Sequence, residues 1–185
     1  RGREAGNSVA VTTLTISTHE PPECFAVAQW TLRRSVSLTL SSGSVIAAAA
    51  GDVLGLLEDQ LLLLVRTGTN LKVVIITAPS TPASSNWVIA KQIALSGVAG
   101  DVRGFAAGDF WGDGAHSLAV ATSINGATQL TYYSYNSAGA GSFSPITTDA
   151  ATDLPALAQN GLVAADYVKD KFDVLTLVPA DPGQR

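Results

Sequence analysis

Asp109 and Asp113 stand four positions apart, with Trp111 between them and glycines at 112 and 114. Residues of these types at this spacing can do two kinds of chemistry. Spaced carboxylates in a glycine-containing loop offer hard oxygen donors to calcium, which takes about six to eight of them. Alternatively, Asp109 accepts backbone N–H groups and holds the turn, while Gly112 and Gly114 supply its unusual dihedrals. Asp109 and Asp113 are thus the candidate metal ligands, and calcium is the candidate ion. Trp111, in the same loop, and Tyr133, in the run Tyr132-Tyr133-Ser134-Tyr135, are the candidate ligand-binding residues. A flat ring with a polar edge is suited to stacking on a sugar or a protein surface. The competing reading has Trp111 closing a gap beside its loop and the tyrosines packed between sheets.

Other reactive residues have no partners at a catalytic spacing. His19 lies in the polar stretch His19-Glu20-Pro21-Pro22-Glu23 and His116 in the Asp109 loop, neither near a recognisable nucleophile, so both read as solvated loop residues. Cys24 is the single cysteine, which excludes an internal disulfide and a thiolate zinc cluster, and a lone cysteine most often behaves as a small buried hydrophobe. The chain has no Gly-x-Ser-x-Gly elbow, no His-Glu-x-x-His helix and no phosphate-binding Gly-rich loop ending in Lys. A non-enzymatic protein is expected.

Composition narrows the partners. Hydrophobic residues make up 46 % of the 185 and charged residues 14 %, which suits a packed fold. A net charge of −4, with 11 scattered Lys and Arg, provides no basic footprint for nucleic acid. The apolar stretch from Ser44 to Val65 is interrupted by Gly51-Asp52, Gly55 and Glu58-Asp59-Gln60, too early for a membrane span of about 20 residues. With no methionine and no apolar core after Arg1-Gly2-Arg3-Glu4, the chain reads as an internal or processed fragment.

The elements that must position the Asp109 loop emerge from a repeat. Ala48-Ala49-Ala50-Gly51-Asp52-Val53-Leu54-Gly55 lies without a gap on Phe105-Ala106-Ala107-Gly108-Asp109-Phe110-Trp111-Gly112. A third copy, Val163-Ala164-Ala165-Asp166-Tyr167, follows at the same interval, so the period is about 57 residues, close to the roughly 40 to 50 of common propeller blades. Each full repeat carries four β-rich runs: one ending at Asp52 or Asp109, then Gln60 to Val65 or Ser117 to Thr122, then Leu71 to Thr77 or Thr128 to Tyr135, then Trp87 to Leu95 or Ser142 to Thr148. Turns such as Asn125-Gly126 between them are hairpin chemistry. At the front, Val9 to Ser17 reads as a third strand, Phe25 to Trp30 as a fourth and Ser35 to Leu40 as an added one. At the back, Gly161 to Asp166 and Asp173 to Val178 read as a first and a second.

The fold expected is all-β, a β-propeller segment of four-stranded antiparallel blades. Leu61-Leu62-Leu63-Leu64-Val65 and Val73-Val74-Ile75-Ile76 are apolar on both faces, as strands in face-to-face blades must be. First strands rich in Ala and Gly suit a crowded central axis. The organisation expected is a partial blade of outer strands over 1–44, a blade over 45–101, a blade over 102–158, and a partial blade of inner strands with a tail over 159–185.

The run Ala107-Gly108-Asp109-Phe110-Trp111-Gly112-Asp113-Gly114-Ala115-His116-Ser117-Leu118-Ala119-Val120 resembles an FG-GAP repeat, the blade unit of integrin-α-type propellers, with degenerate copies at Asp52 and Asp166. The resemblance implies a propeller, extracellular or at the cell surface, used in adhesion or carbohydrate binding, with calcium in the loop. Trp111 and Ser117 depart from the family's oxygen donors and thin that calcium site. The first copy has Leu54, Leu56 and Leu57 where donors are needed, and the third has Lys169 and Lys171. The expected function is a non-enzymatic module binding a protein or glycan. The alternatives are an accessory propeller of a secreted enzyme or a subunit of a surface filament. About three blades cannot close a ring of the usual four to eight, so further blades, another subunit or a second copy are expected partners.

Overall fold

A computed structural model of the chain describes residues 12–20, 31–40, 42–78, 87–149, 154, 156–165 and 173–180. Among these, every regular element is a strand. In chain order they are β1 (Thr12–Glu20), β2 (Thr31–Leu40), β3 (Ser44–Gly51), β4 (Gln60–Thr67), β5 (Asn70–Thr77), β6 (Val88–Leu95), β7 (Asp101–Gly108), β8 (Ser117–Ile124), β9 (Ala127–Asn136), β10 (Ser142–Asp149), β11 (Leu157–Ala165) and β12 (Val174–Pro179). No helix is long and apolar enough to cross a membrane among the described residues.

The strands form four antiparallel sheets. Sheet I pairs β1 with β2, sheet II has the order β3-β4-β5-β6, sheet III the order β7-β8-β9-β10, and sheet IV pairs β11 with β12. Sheets II and III are simple meanders, because short turns between β-rich runs leave consecutive strands nowhere else to pair. Two of these turns have only two residues, Gly68-Thr69 and Asn125-Gly126; at the latter Ile124 faces Ala127 and both turn residues take positive φ, 52° and 83°. That is the backbone of a type I′ turn, which matches the twist of the flanking strands.

Side chains alternate between two apolar layers. In β4, Leu62 and Leu64 pack with Val73, Ile75, Phe105, Val120 and Tyr133 between sheets II and III. Leu63 and Val65 point the other way and pack with Val74, Ile76, Leu38 and Leu40 between sheets II and I. On sheet III, Ala106, Ala119, Ala121 and Leu130 meet Leu157, Leu162, Leu175 and Leu177 of sheet IV. Sheets II, III and IV are therefore stacked face to face in that order, and the end of β2 packs on the far side of sheet II. Full burial of a Leu, Val or Ile side chain is worth about 1.5–3 kcal/mol, and these layers supply much of the stabilising area.

Of the first strands, β7 lies against both β3 and β11. Their Ala and Gly content permits it: a Cβ on Gly51 would stand 2.9 Å from the Ala107 Cβ, and one on Gly104 would collide with the Leu162 Cβ. Between the three strands runs a cavity of about 280 Å³, lined by residues 48–50, 105–107 and 162–164.

At the N-terminal end the reading needs correction. The strand expected to end at Ser17 runs to Glu20, with a register shift between Thr18 and His19, so His19 belongs to β1 and not to a loop. The run from Ser35 to Leu40, read as an added strand, is part of β2 and pairs directly with β1. The reason is tertiary, since Leu38 and Leu40 complete the apolar layer over sheet II. The expected strand Phe25 to Trp30, with Cys24, and the third loop from Asp166 to Phe172 lie outside the described residues.

Candidate functional site

Two equivalent loops emerge at one end of the stack, 52–59 from sheet II and 109–116 from sheet III. Each is organised by its first residue. The Asp109 carboxylate accepts the N–H of Asp113 at 3.1 Å on Oδ1 and of Gly114 at 2.8 Å on Oδ2. One repeat earlier, Asp52 accepts the N–H of Leu56 at 2.8 Å on Oδ1 and of Leu57 at 2.6 Å on Oδ2. Loops of different composition share this pattern because a short carboxylate can accept amides four and five residues ahead without disturbing the strand behind it. Gln60 adds a further donor, its Nε2 lying 2.8 Å from Asp52 Oδ1, and its Oε1 accepts the N–H of Leu54 at 3.1 Å.

These contacts set the electrostatics. Burial works to raise the Asp52 pKa, but the hydrogen bonds from Gln60, Leu56 and Leu57 and the neighbouring His116 outweigh it and hold the carboxyl below its ordinary value. Asp109 is buried. Asp113 is exposed and accepts the Ala115 N–H on Oδ1 at 2.9 Å.

The two candidate metal ligands therefore sit in one loop, where each Asp109 oxygen accepts one amide of that loop and Asp113 accepts another. Among the described residues no cluster of three or more His, Cys, Asp or Glu converges on one point.

The two aromatic candidates part company. Trp111 is 41 % exposed, and its ring is braced edge-on by Phe110 at 6.0 Å and Tyr132 at 5.3 Å between centroids. Tyr133 is fully buried between sheets II and III, its hydroxyl donating to the Ser96 carbonyl at 3.2 Å, and burial pushes its phenol pKa up. Tyr133 as a ligand-binding residue is thus corrected: an inward position on β9 gives it a packing role. Tyr135, two residues on and on the same face, is half-buried, with Lys91 Nζ 5.9 Å from its ring centroid.

A groove of about 470 Å³ opens between the two loops, lined by Asp52, Leu54, Trp111, Asp113, His116 and Tyr135, with Ser134 and Ser137 beside them. Its floor includes a contact absent from the sequence reading. His116 Nδ1 accepts the backbone N–H of Asp52 at 2.9 Å, fastening sheet III to sheet II. The expected role of a merely solvated loop residue is corrected accordingly. Asp173 Oδ2 accepts the Asp109 N–H at 2.7 Å in the same way, fastening sheet IV to sheet III. The repeat held the clue: Asp59, His116 and Asp173 all occupy the position just before a second strand.

No family model, curated protein or solved structure matches the chain. The likeness to FG-GAP repeats rests on the loop residues of the sequence.

Proposed function

We propose that the chain is an arc of β-propeller blades that serves as a non-enzymatic binding module at the cell surface or outside the cell, with a glycan seated in the groove between the two Asp loops. The propeller reading is supported by the face-to-face stack, by antiparallel sheets apolar on both faces, and by the Ala- and Gly-rich first strands lying side by side. One observation carries the ligand class. Trp111 presents an exposed ring, braced by Phe110 and Tyr132, within a groove that also offers carboxylate, imidazole, phenol and hydroxyl groups beside the apolar Leu54 and Ile146. Sugars offer C–H faces to such a ring and hydroxyls to such walls, and a ring already held in place loses little entropy on binding.

An array of oligosaccharides probed with the folded chain tests this. Captured glycans are expected to lose at least tenfold in affinity, about 1.4 kcal/mol, when Trp111 is changed to Ala. A wild-type chain that captures none of them, or a Trp111→Ala chain that captures them equally, would overturn the glycan reading.

A further inference from the structure

The two ends of the stack are complementary halves of the same sheet. Among the described residues β12 pairs only with β11, and β1 only with β2. By the repeat, β11 and β12 are a first and a second strand, whereas β1 and β2 stand in the places of a third and a fourth. Placed edge to edge, β11-β12-β1-β2 reproduces the order β3-β4-β5-β6. In this structure they do not meet, because sheets II and III stand between them.

The exposed faces are complementary as well. On sheet IV the side turned away from sheet III carries Val163, Val174 and Val178, each 45–46 % exposed. Among the described residues, β2 covers sheet II through Leu38 and Leu40; on the first strand of sheet II Ala48 and Ala50 are exposed. Side-chain volume points to a second copy as the occupant. At the II/III junction Phe105 of the receiving first strand packs in one layer with Ala47 and Ala49, and at the III/IV junction Leu162 packs with Ala106. The open ends reverse this. The receiving position equivalent to Phe105 and Leu162 is Ala48, and the donating position equivalent to Ala49 and Ala106 is Val163. A small residue on one end thus answers a larger one on the other, the trade that keeps a packed layer at constant volume. Asp59 adds a polar match. It stands where His116 and Asp173 stand in the later repeats, is exposed, and among the described residues has no amide of a preceding sheet against it.

We infer that two copies of the chain join head to tail, with sheet IV of each laid on sheet II of the other and β12 beside the other copy's β1. Two copies then supply four complete sheets and two mixed ones, six in all, within the usual range of about four to eight blades. The joint itself rests only on the stacked sheets; closure at two copies rests on the propeller reading above.

Light scattering on the purified full chain is the test. Wild type is expected at twice the 19.0 kDa chain mass, and Val174→Lys and Ala48→Lys are each expected at the monomer mass. Both substitutions fall on exposed positions, and an unchanged β-sheet circular dichroism spectrum confirms that the monomers are folded. An equimolar mixture of the two variants retains one intact joint and is expected to recover an open pair. A wild-type monomer overturns the inference, as does a dimer that survives both substitutions. So does a dimer abolished by Val174→Lys but formed by Ala48→Lys alone, which would be a symmetric contact of sheet IV with itself. A ladder of higher masses abolished by both variants would keep the joint and remove closure, and with it the propeller reading.

Discussion

His116 Nδ1 accepts the backbone N–H of Asp52 across the boundary between sheets II and III, and Asp173 Oδ2 accepts that of Asp109 across the next; both bonds span 64 residues. Neighbouring sheets are thus fastened at the same place by different side chains. The chemistry needs only an acceptor at that point, because the first residue of each loop has left its strand ladder and carries an amide that needs a partner.

Removing the acceptor has a predictable cost. His116→Ala is expected to lower stability by roughly 1–3 kcal/mol, the penalty for leaving a part-buried N–H unsatisfied. His116→Asn, which keeps a neutral acceptor, is expected to restore most of that loss. Urea denaturation of the three proteins decides the matter. Equal destabilisation by both substitutions would assign the loss to ring packing.

The Asp52 carboxyl links the fold to acid. Its pKa is lower in the folded chain than in the unfolded one, so its contribution is present above the unfolded value, near pH 4, and is lost as pH falls through the folded value. Stability is expected to decline over that acidic range, and Asp52→Asn to show a shallower decline from a lower starting point. Denaturation midpoints measured between pH 7 and pH 2 check both expectations; parallel curves would count against the linkage.

Leu57 holds a φ of 62° and is 96 % exposed. Its counterpart one repeat later is Gly114, with φ 81°. The left-handed region costs a β-carbon-bearing residue about 1–2 kcal/mol, while glycine brings an entropic penalty of about 0.5–1 kcal/mol. Leu57→Gly is expected to raise stability by a net of up to about 1 kcal/mol, read as a higher Tm. A lowered Tm would show that Leu57 makes a stabilising contact.

Calcium offers a separate test at Asp109. Since its two oxygens already accept amides of its own loop, the Tm is expected to be the same in millimolar calcium and in EDTA. Asp109→Ala is expected to lower it equally in both. A ligand bound only to the folded state at a hundredfold excess over its Kd would add about 2.7 kcal/mol. A calcium-dependent rise that disappears in Asp109→Ala would therefore place the ion in this loop.

The sequence by itself determined the strands and their order within sheets II and III. The apolar run Leu61 to Val65 could by itself also be helical, since Leu is a good helix former. Gly51-Asp52 and Gly55 ahead of it and the recurrence of the unit at Ser117 to Thr122 favour a strand covered on both faces, and Asn125-Gly126 dictates the turn after that second copy. It also offered Asp109 as a loop anchor, because its spacing to the following amides is a local property, and the repeat placed Asp52 at the equivalent point. Only the tertiary structure decided what lies across from what. Tyr132, Tyr133 and Tyr135 are alike as residues; Tyr133 and Tyr135 share a face of β9, but Tyr133 stands opposite Leu118 within the ladder and is buried, whereas Tyr135 lies past the end of β8 and lines the groove. The part played by β2 depended on Leu38 and Leu40 finding the open half of sheet II. His116 gained its role from an amide 64 residues away, and no local pattern records a partner that only stacking brings within reach.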